Sequence, residues 1–425
     1  MFDALINAFR APDIRRRIMF VFGMLIIVRA LAHVPVPGVN HEALNTLFNN
    51  NQLLGLLNIF SGGGLSSFSV IGMGLNPYIN ASIILTLMQG VIPSLQALSH
   101  EGEYGRQRIN QYTRYLTVPL ALIQSYGFLA ILNSQGVLTS FDLASLVTVT
   151  QIISLTAGTV LLMWLGELIT ERGIGNGVSF IIFAGIVGRV PVAVGAFLQA
   201  PDWAAGIALA VVGTIMIAAI IYMQEGQRRV PVQYASRVRG RRLYQGGATF
   251  LPLRVNQAGV IPIIFAVSII LFPAQLASYF ASSQVAVVAD VAHAIQTLLG
   301  TTSPLYAALY FALTVGFTYF YTAFTFKPED TADQLRKNGG FIPGIRPGNP
   351  TRDYLQAVVF RITIAGALFL GVVAVMPFVI SQAFPSLQGI ALGGTALLIV
   401  VSVVVETMKQ VEAQLMMRNY EGFIR

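Results

Sequence analysis

Residues 203–223 read WAAGIALAVVGTIMIAAIIYM, an apolar stretch without a charged side chain. A helix of about 20 apolar residues crosses the ~30 Å hydrocarbon core of a bilayer. The stretch is followed by QEGQRRVPVQYASRVRGRRL, which is rich in arginine. Because short segments rich in Lys and Arg stay in the cytoplasm during insertion, this junction predicts a membrane helix with a cytoplasmic C-terminal end.

Nine further stretches resemble the first in length and composition. The chain is 55% hydrophobic and 10% charged, whereas soluble proteins are roughly 25% charged. None of the stretches alternates like a barrel strand, so the sequence predicts ten membrane helices. They cover about 17–34, 77–97, 115–132, 145–166, 178–198, 203–223, 258–280, 304–326, 358–384 and 389–405.

The basic residues predict the topology. All but two of the 26 Lys and Arg residues lie at the termini, in every second gap between stretches, or, like Arg361, at a helix start beside such a gap; the exceptions are Arg29 and Arg189. Both termini are therefore predicted to be cytoplasmic. Residues 1–200 and 201–425 each contain five predicted helices. Because five is odd, the second half enters the membrane from the opposite side and has the inverted orientation. We expect an all-α polytopic membrane protein with two pseudo-symmetric inverted five-helix halves around a central pore.

The residues that chemistry would need are scarce. There is no cysteine, and the four histidines are far apart, so neither a metal site nor a cofactor is expected. The acids lie in loops or at helix ends, and Glu167 and Glu406 are the nearest to the membrane interior. A proton- or sodium-coupled carrier normally holds such a group near the midplane. The sequence therefore argues against an enzyme with catalytic residues, and a small-solute secondary transporter is the alternative function.

Two glycine-rich segments need interpretation. Residues 59–77, IFSGGGLSSFSVIGMGLNP, are too short to span and too apolar for an ordinary loop. They are either a segment that folds back into the membrane, buried in protein, or an amphipathic turn at the surface. Residues 172–177, RGIGNG, are interpreted as a tight cytoplasmic turn, because no strand precedes them as a nucleotide-binding loop requires.

Two long basic loops, 224–257 and 327–357, hold more arginine and lysine than retention in the cytoplasm requires. Topology signalling and contact with lipid head groups account for some of these residues. Their length, aromatic residues and Pro/Gly turns favour a docking surface for an acidic protein or for RNA phosphates.

Five segments resemble the SecY family, the channel subunits of the bacterial protein translocon. They are FSGGGLSSFSVIGMGLNPYINASII, GEYGRQRINQYTRY, MWLGELITERGIGNGVSFIIFAGIV, LPLRVNQAGVIPIIFAVSIILFP and GFIPGIRPGNPT. The resemblance covers nearly the whole chain. It implies two halves hinged like a clamshell around an hourglass pore, with the second, fifth, seventh and tenth helices lining that pore.

The resemblance also implies site residues. Residues 61–73 would be a plug that closes the pore from the outer side, with Ser61, Gly62, Gly63, Gly64, Leu65, Phe68 and Ile71. The pore ring would consist of Leu75, Ile79, Val178, Ile182, Ile264 and Ile399. A lateral gate would lie between helices two/three and seven/eight, and its candidate polar residues are Thr86, Asn176 and Asn256, for which structural packing is an equal alternative. Partner docking would involve Arg228, Arg229, Arg237, Arg241, Arg242, Arg254 and Arg346.

The implied function is a protein-conducting channel. It would secrete unfolded precursors across the bacterial cytoplasmic (inner) membrane and insert helices laterally into that membrane. The implied partners are SecE and SecG as small subunits, the SecA motor ATPase, the ribosome, signal sequences, nascent chains and membrane lipids. A docking receptor that does not conduct is a third interpretation.

Overall fold

The computed structural model describes most of the chain. The described residues are 11–40, 42–44, 58, 63–138, 141–142, 145–199, 202–234, 237–239, 242–244, 247–280, 286–300, 303–383 and 394–421. Most of them are helical. In chain order the helices are α1 (Pro12–Leu31), α2 (Asn76–Val91), α3 (Pro93–His100), α4 (Glu103–Ser134), α5 (Leu146–Arg172), α6 (Gly177–Val187), α7 (Val190–Gln199), α8 (Trp203–Glu225), α9 (Ile261–Phe280), α10 (Ala286–Leu298), α11 (Pro304–Thr325), α12 (Pro328–Lys337), α13 (Asn349–Ala383) and α14 (Gly394–Glu421).

Short strands form outside the helices. They are β1 (Gln227–Tyr234), β2 (Arg237–Arg239), β3 (Arg242–Tyr244), β4 (Ala248–Arg254) and β5 (Gly340–Phe341). β1 pairs antiparallel with β4 on one side and with β5 on the other, while β2 pairs with β3. The two basic loops, which the sequence treats separately, are therefore joined in one three-stranded sheet.

The predicted stretches coincide with helices, but not all of those helices are long enough to span. Among the described residues five helices have the length and hydropathy of a complete span, and the pair α2 and α3 would make a sixth if it forms one span. The five are Glu103–Asn133, Leu146–Arg172, Gly206–Glu225, Pro304–Lys337 and Asn349–Ile380. The chain is thus a multi-pass, mainly helical membrane protein, and ten spans in two inverted halves remain a prediction.

Two predicted stretches are broken. α2 and α3 meet at an angle of 100°. Ile92 between them has extended backbone, as expected for a residue before a proline. The fifth stretch was expected to be one helix over 178–198, but α6 ends at Val187 and α7 begins at Val190. Pro191 lacks the N–H that a continuous helix needs there, so the chain turns at Gly188 and Arg189.

Most helix contacts join helices on the same side of residues 200–201. Within the first half, α4 packs on α2 and α5, and α6 packs on α1 and α5. Within the second half, α11 packs on α9 and α13, and α14 packs on α8 and α13. The two sets also meet, through contacts of α4 with α9 and of α6 with α14. The predicted boundary at 200–201 lies outside the described residues.

Candidate functional site

A hydrophobic cluster lies where α1, α2, α5, α6, α9 and α14 converge, and we call it the ring cluster. It contains all six residues that the resemblance implies for a pore ring. Four of them are buried: Leu75, Ile79, Ile182 and Ile399. The other two, Val178 and Ile264, are half-buried and pack against the cluster. None of these side chains can donate or accept a hydrogen bond. The structure therefore brings these six aliphatic side chains together in one packed cluster, from α2 and its N-cap, α6, α9 and α14.

Residues 63–73 are the described part of the predicted plug, and we call them the plug segment; Ser61 and Gly62 lie outside the described residues. The segment consists of turns, apart from an isolated antiparallel bridge between Ser69 and Pro35. The Val36 N–H donates to the Phe68 carbonyl at 2.8 Å, and the Val70 N–H donates to the Val34 carbonyl at 3.0 Å. These bonds attach the segment to the chain that leaves α1.

The plug segment is packed against α4 and α5. Phe68 is fully buried and stacks on Phe128 of α4, with ring centroids 6.3 Å apart. Its φ of 45° is unusual for a non-glycine residue, and surrounding contacts must hold it there. On α5, a Cβ added to Gly158 would overlap the Val70 carbonyl. This glycine is thus what allows the backbone of the segment to approach α5 so closely.

Polar groups of the plug segment are satisfied within the protein. The Ser67 hydroxyl donates to the Ala32 carbonyl at 2.9 Å, and the Ser69 hydroxyl donates to the Gly64 carbonyl at 3.1 Å. Irregular backbone survives at membrane depth only when it is buried in protein or lines a cavity. Leu65 and Ile71 are also buried. Of the two interpretations, the bonds and the burial favour a segment buried in the protein and not an amphipathic turn at the surface.

The plug segment and the ring cluster share a small cavity. Its volume is about 20 Å³, and Ile71 of the plug segment and Leu75 of the ring line it together with Val28, Arg29 and Ile181. The cavity has room for about one water molecule. A displacement of the plug segment would therefore change the packing around Leu75 of the ring cluster.

The predicted lateral gate is a line of contact between the two halves. α4 and α9, which cover the third and seventh predicted membrane helices, contact each other along it. A Cβ added at Gly90 of α2 would lie 3.7 Å from the Phe320 ring of α11. At one end of this line, Lys327 Nζ lies 3.1 Å from His100 Nδ1. Helices on the two sides of the predicted gate are thus in contact in this structure.

The three candidate gate residues have local hydrogen bonds. The Thr86 hydroxyl donates to the Ser82 carbonyl, one turn back in α2, at 2.8 Å. Asn176 caps α6, since its Oδ1 accepts from the Ser179 N–H at 3.1 Å. Asn256 Nδ2 donates to the Gly259 carbonyl at 3.2 Å, while its buried Oδ1 has no partner among the described residues. For Asn176 the structural role is thus defined.

Loss of this cap gives a direct prediction. Substituting Asn176 with alanine removes the side-chain acceptor at the start of α6 and should lower the free energy of unfolding by about 1 kcal/mol. Asn176→Asp keeps an oxygen at the same place and should retain most of the stability. Thermal unfolding of the detergent-purified protein measures both. An equal loss in both variants would contradict the capping role.

The basic sheet forms a separate surface, which we call the basic surface: Arg228, Arg229 and Arg254 on β1 and β4, with Arg346 in the loop between β5 and α13. All four are exposed. Inward-facing residues of the same strands pack on α12 and α13 and are Val230, Val232 and Leu253. Of the other predicted docking residues, Arg237 and Arg242 lie on β2 and β3, and Arg241 is outside the described residues.

Fold and site together define a class: a multi-pass helical membrane protein with a buried segment of turns packed beside an apolar cluster between helices. Residues 69–408 match the family model described as SecY. A protein translocase subunit SecY from Streptomyces scabiei is 43% identical over 443 residues, with 100% of both chains covered. One from Mycobacterium tuberculosis is 43% identical over 442 residues, again with 100% of both covered. This chain belongs to the SecY family.

Solved structures share the fold. One described as a protein-conducting channel has a TM-score of 0.65 and 16% identity and covers 93% of this chain and 91% of its own. Another is a SecY structure described as showing that the plug domain stabilises the closed state of the translocation channel. It has a TM-score of 0.67 and 17% identity, and covers 93% of this chain and 91% of its own. Canine Sec61, in a ribosome–channel complex, matches with a TM-score of 0.62 and 16% identity over the same shares.

Sequence reasoning missed some residues that shape the site. Gly158 is one of many glycines in apolar stretches, and only the approach of Val70 distinguishes it. Arg29 donates through Nη2 to the Gly188 carbonyl at 2.9 Å, a contact across 159 positions of chain. The sequence did contain a signal for the break at Gly188, since a charged residue and a proline follow it within the fifth apolar stretch.

Proposed function

We propose that this chain is the channel subunit of a protein translocase in the bacterial cytoplasmic membrane, where it passes unfolded precursors and releases apolar helices into the lipid. The observation that carries the proposal is the ring cluster with the plug segment packed beside it. Relatives that match over their full length are named protein translocase subunits. The chain would span the membrane ten times, in two inverted halves (1–200 and 201–425), with both termini cytoplasmic.

The apolar ring explains how such a channel could remain sealed. A narrow aliphatic constriction excludes water and ions by dewetting, yet it makes no hydrogen bond that would retain a passing chain. Ile182 and Ile264 reach this constriction from different halves, so separation of the halves would widen it. The plug segment, held by Phe68 and Ile71, would cover the constriction from the outer side at rest.

Lateral release follows from partition energies. Leu, Ile or Phe at the centre of a membrane helix favours insertion by about 0.3–0.6 kcal/mol, while a charged residue costs about 2.5–3.5 kcal/mol. Ten apolar residues therefore favour lipid by roughly 3–6 kcal/mol. An opening between α4 and α9 would be enough to sort signal sequences and membrane helices from secreted segments.

The basic surface would receive the machine that drives transport. Exposed arginines fit RNA phosphates as well as acidic protein groups, so the ribosome and the SecA motor ATPase are the proposed partners there. A structural relative, canine Sec61, is described in a complex with a ribosome. SecE and SecG are the proposed partner subunits within the membrane. The channel itself would need no cofactor and would catalyse no reaction.

Reconstitution tests the proposed function. Vesicles containing the chain with SecE, SecG, SecA and ATP should protect a signal-bearing precursor from protease. A vesicle set without ATP is the control. If no precursor is protected while SecA remains active, the proposed function fails, and saturable uptake of a small solute without a motor would favour a secondary transporter instead.

Charge reversal on the basic surface gives a second prediction. Arg346 is exposed, and its carbonyl accepts from the Thr351 hydroxyl at 2.8 Å. Arg346→Glu should therefore leave the fold intact while it weakens docking through a repulsive charge. We expect membrane insertion at the normal level and a strongly reduced rate of precursor export. Arg106→Glu, an equal change at an exposed residue outside the two basic loops, is the control. Normal export by Arg346→Glu would contradict the assignment.

A further inference from the structure

Helix α10 is a short apolar helix that belongs neither to the ring cluster and plug segment nor to the basic surface. Its 13 residues extend over about 20 Å, which is too short to cross the hydrocarbon core. It connects the ends of α9 and α11 that lie away from the three-stranded sheet, because β4 leads into α9 and the end of α11 leads towards β5. α10 thus lies at the end of the bundle opposite the basic surface.

The junction with α11 places α10 close to the membrane surface. The Ser303 N–H donates to the Gly300 carbonyl at 2.9 Å, which makes a turn between the two helices. The Ser303 hydroxyl then caps α11 by accepting from the Leu305 N–H at 3.3 Å. α11 begins one of the complete spans, and that span starts at Pro304. α10 therefore ends within a few residues of the point where α11 enters the lipid.

Three sides of α10 differ in their surroundings. The helix packs on α9, and Ala292 is buried. A second side carries exposed polar residues, which are Asp290, His293 and Thr297. A third side, which we call the apolar side, carries residues that are 71%, 54% and 51% exposed, in the order Val287, Val291 and Leu298. At 100° per residue, these three side chains leave the helix within about 40° of one another.

We infer that the apolar side of α10 binds the acyl chains of the leaflet opposite the basic surface, so that the helix lies in the plane of the membrane interface. Helices with one apolar and one polar face adopt this position, with the apolar face about 5–10 Å into the boundary between head groups and acyl chains. The exposed apolar surface continues on the first turns of α11, at Leu305 and Leu309. α10 contains no Lys or Arg, so contact with hydrocarbon, and not attraction to acidic head groups, would hold it.

Lipid contact at α10 would also restrain α9. α10 packs on α9, and Ile264 of α9 belongs to the ring cluster. The start of α9 is joined to the three-stranded sheet through β4. A lipid-bound α10 would hold the other end of α9 at the membrane surface. The lipid contact itself does not depend on the proposed function, and its test uses no translocation assay.

Site-directed labelling tests the lipid contact, because the chain has no cysteine. Val291→Cys and His293→Cys place a nitrobenzoxadiazole label on the apolar side and on the polar side. The full chain, with cysteine-free forms of any subunits that purify with it, is measured in phosphatidylcholine nanodiscs that each hold one copy. Compared with the label at position 293, the label at position 291 should emit at shorter wavelength. Nitroxide-labelled phosphatidylcholine should quench it several-fold more strongly, and iodide several-fold less.

Two outcomes would overturn the inference. Equal quenching by iodide at both positions would mean that water covers the apolar side. A label at position 291 that is shielded from iodide but not quenched by the nitroxide lipid would mean that a protein surface covers it. Val287→Cys and Thr297→Cys repeat the comparison on the same two sides, so the test stands even when one variant fails to fold.

Discussion

Replacing Ile182 and Ile264 by glycine should make the resting channel leak ions. The two side chains belong to the ring cluster and come from α6 and α9, on opposite sides of the boundary between the halves. Their removal leaves space beside Leu75 that water can enter, and a wetted constriction no longer excludes ions. Single-channel recording in planar bilayers should show conductance without a motor or a precursor, where the parent chain shows none.

The control for this double variant is Ile207→Gly with Ile215→Gly. Both isoleucines lie on α8 and are exposed, at 64% and 62%. Each pair of substitutions carries a helix-propensity cost of about 1 kcal/mol per glycine, so the two variants differ mainly in which surface loses its side chains. A silent ring variant, or a control that leaks equally, would mean that Ile182 and Ile264 do not seal a pore.

Gly158→Leu should expel the plug segment from its seat. A Cβ at this position overlaps the Val70 carbonyl, and a leucine adds three further carbons. Overpacking of this kind costs about 1–3 kcal/mol when the neighbours can shift. Because the segment has no regular secondary structure, we expect it to move instead of α5. The expected results are a lower unfolding temperature and a resting ion conductance.

Gly213→Leu is the matched control. Gly213 lies on α8, and an added Cβ there meets no atom within 4 Å. The same chemical change should therefore leave the conductance and the unfolding temperature close to those of the parent. Deletion of residues 61–72 is the complementary measurement. Conductance after that deletion would also argue against a receptor that does not conduct, whereas a tight membrane would support that receptor.

Sequence and structure agree best where one physical effect dominates. A run of apolar residues such as 203–223 has few alternatives to a helix in the membrane, and helix α8 follows it closely. The break of the fifth stretch at Gly188 was missed because hydropathy averages over Arg189. The bend between α2 and α3 was missed for a similar reason, since Val91 and Ile92 continue the apolar run through the turn.

The candidate site depends on contacts that composition does not encode. Ile182 and Ile399 look like any other isoleucine in a membrane helix, and only the family resemblance singled them out. The structure brings both into one cluster; their part in a pore stays a prediction. Pairing of β5 with β1 was also beyond the sequence, because Gly340 and Phe341 carry no strand signal and meet their partners across about a hundred residues of chain.

The three-stranded sheet has a mechanical consequence. β1 continues from α8, β4 leads into α9, and β5 precedes α13, so one hydrogen-bonded sheet connects the ends of three helices. In the described residues no strand ties α1–α6 together in this way. A force applied to this sheet would act on α8, α9 and α13 together. It would reach the first half through contacts between the halves, chiefly those of α4 with α9 and of α6 with α14.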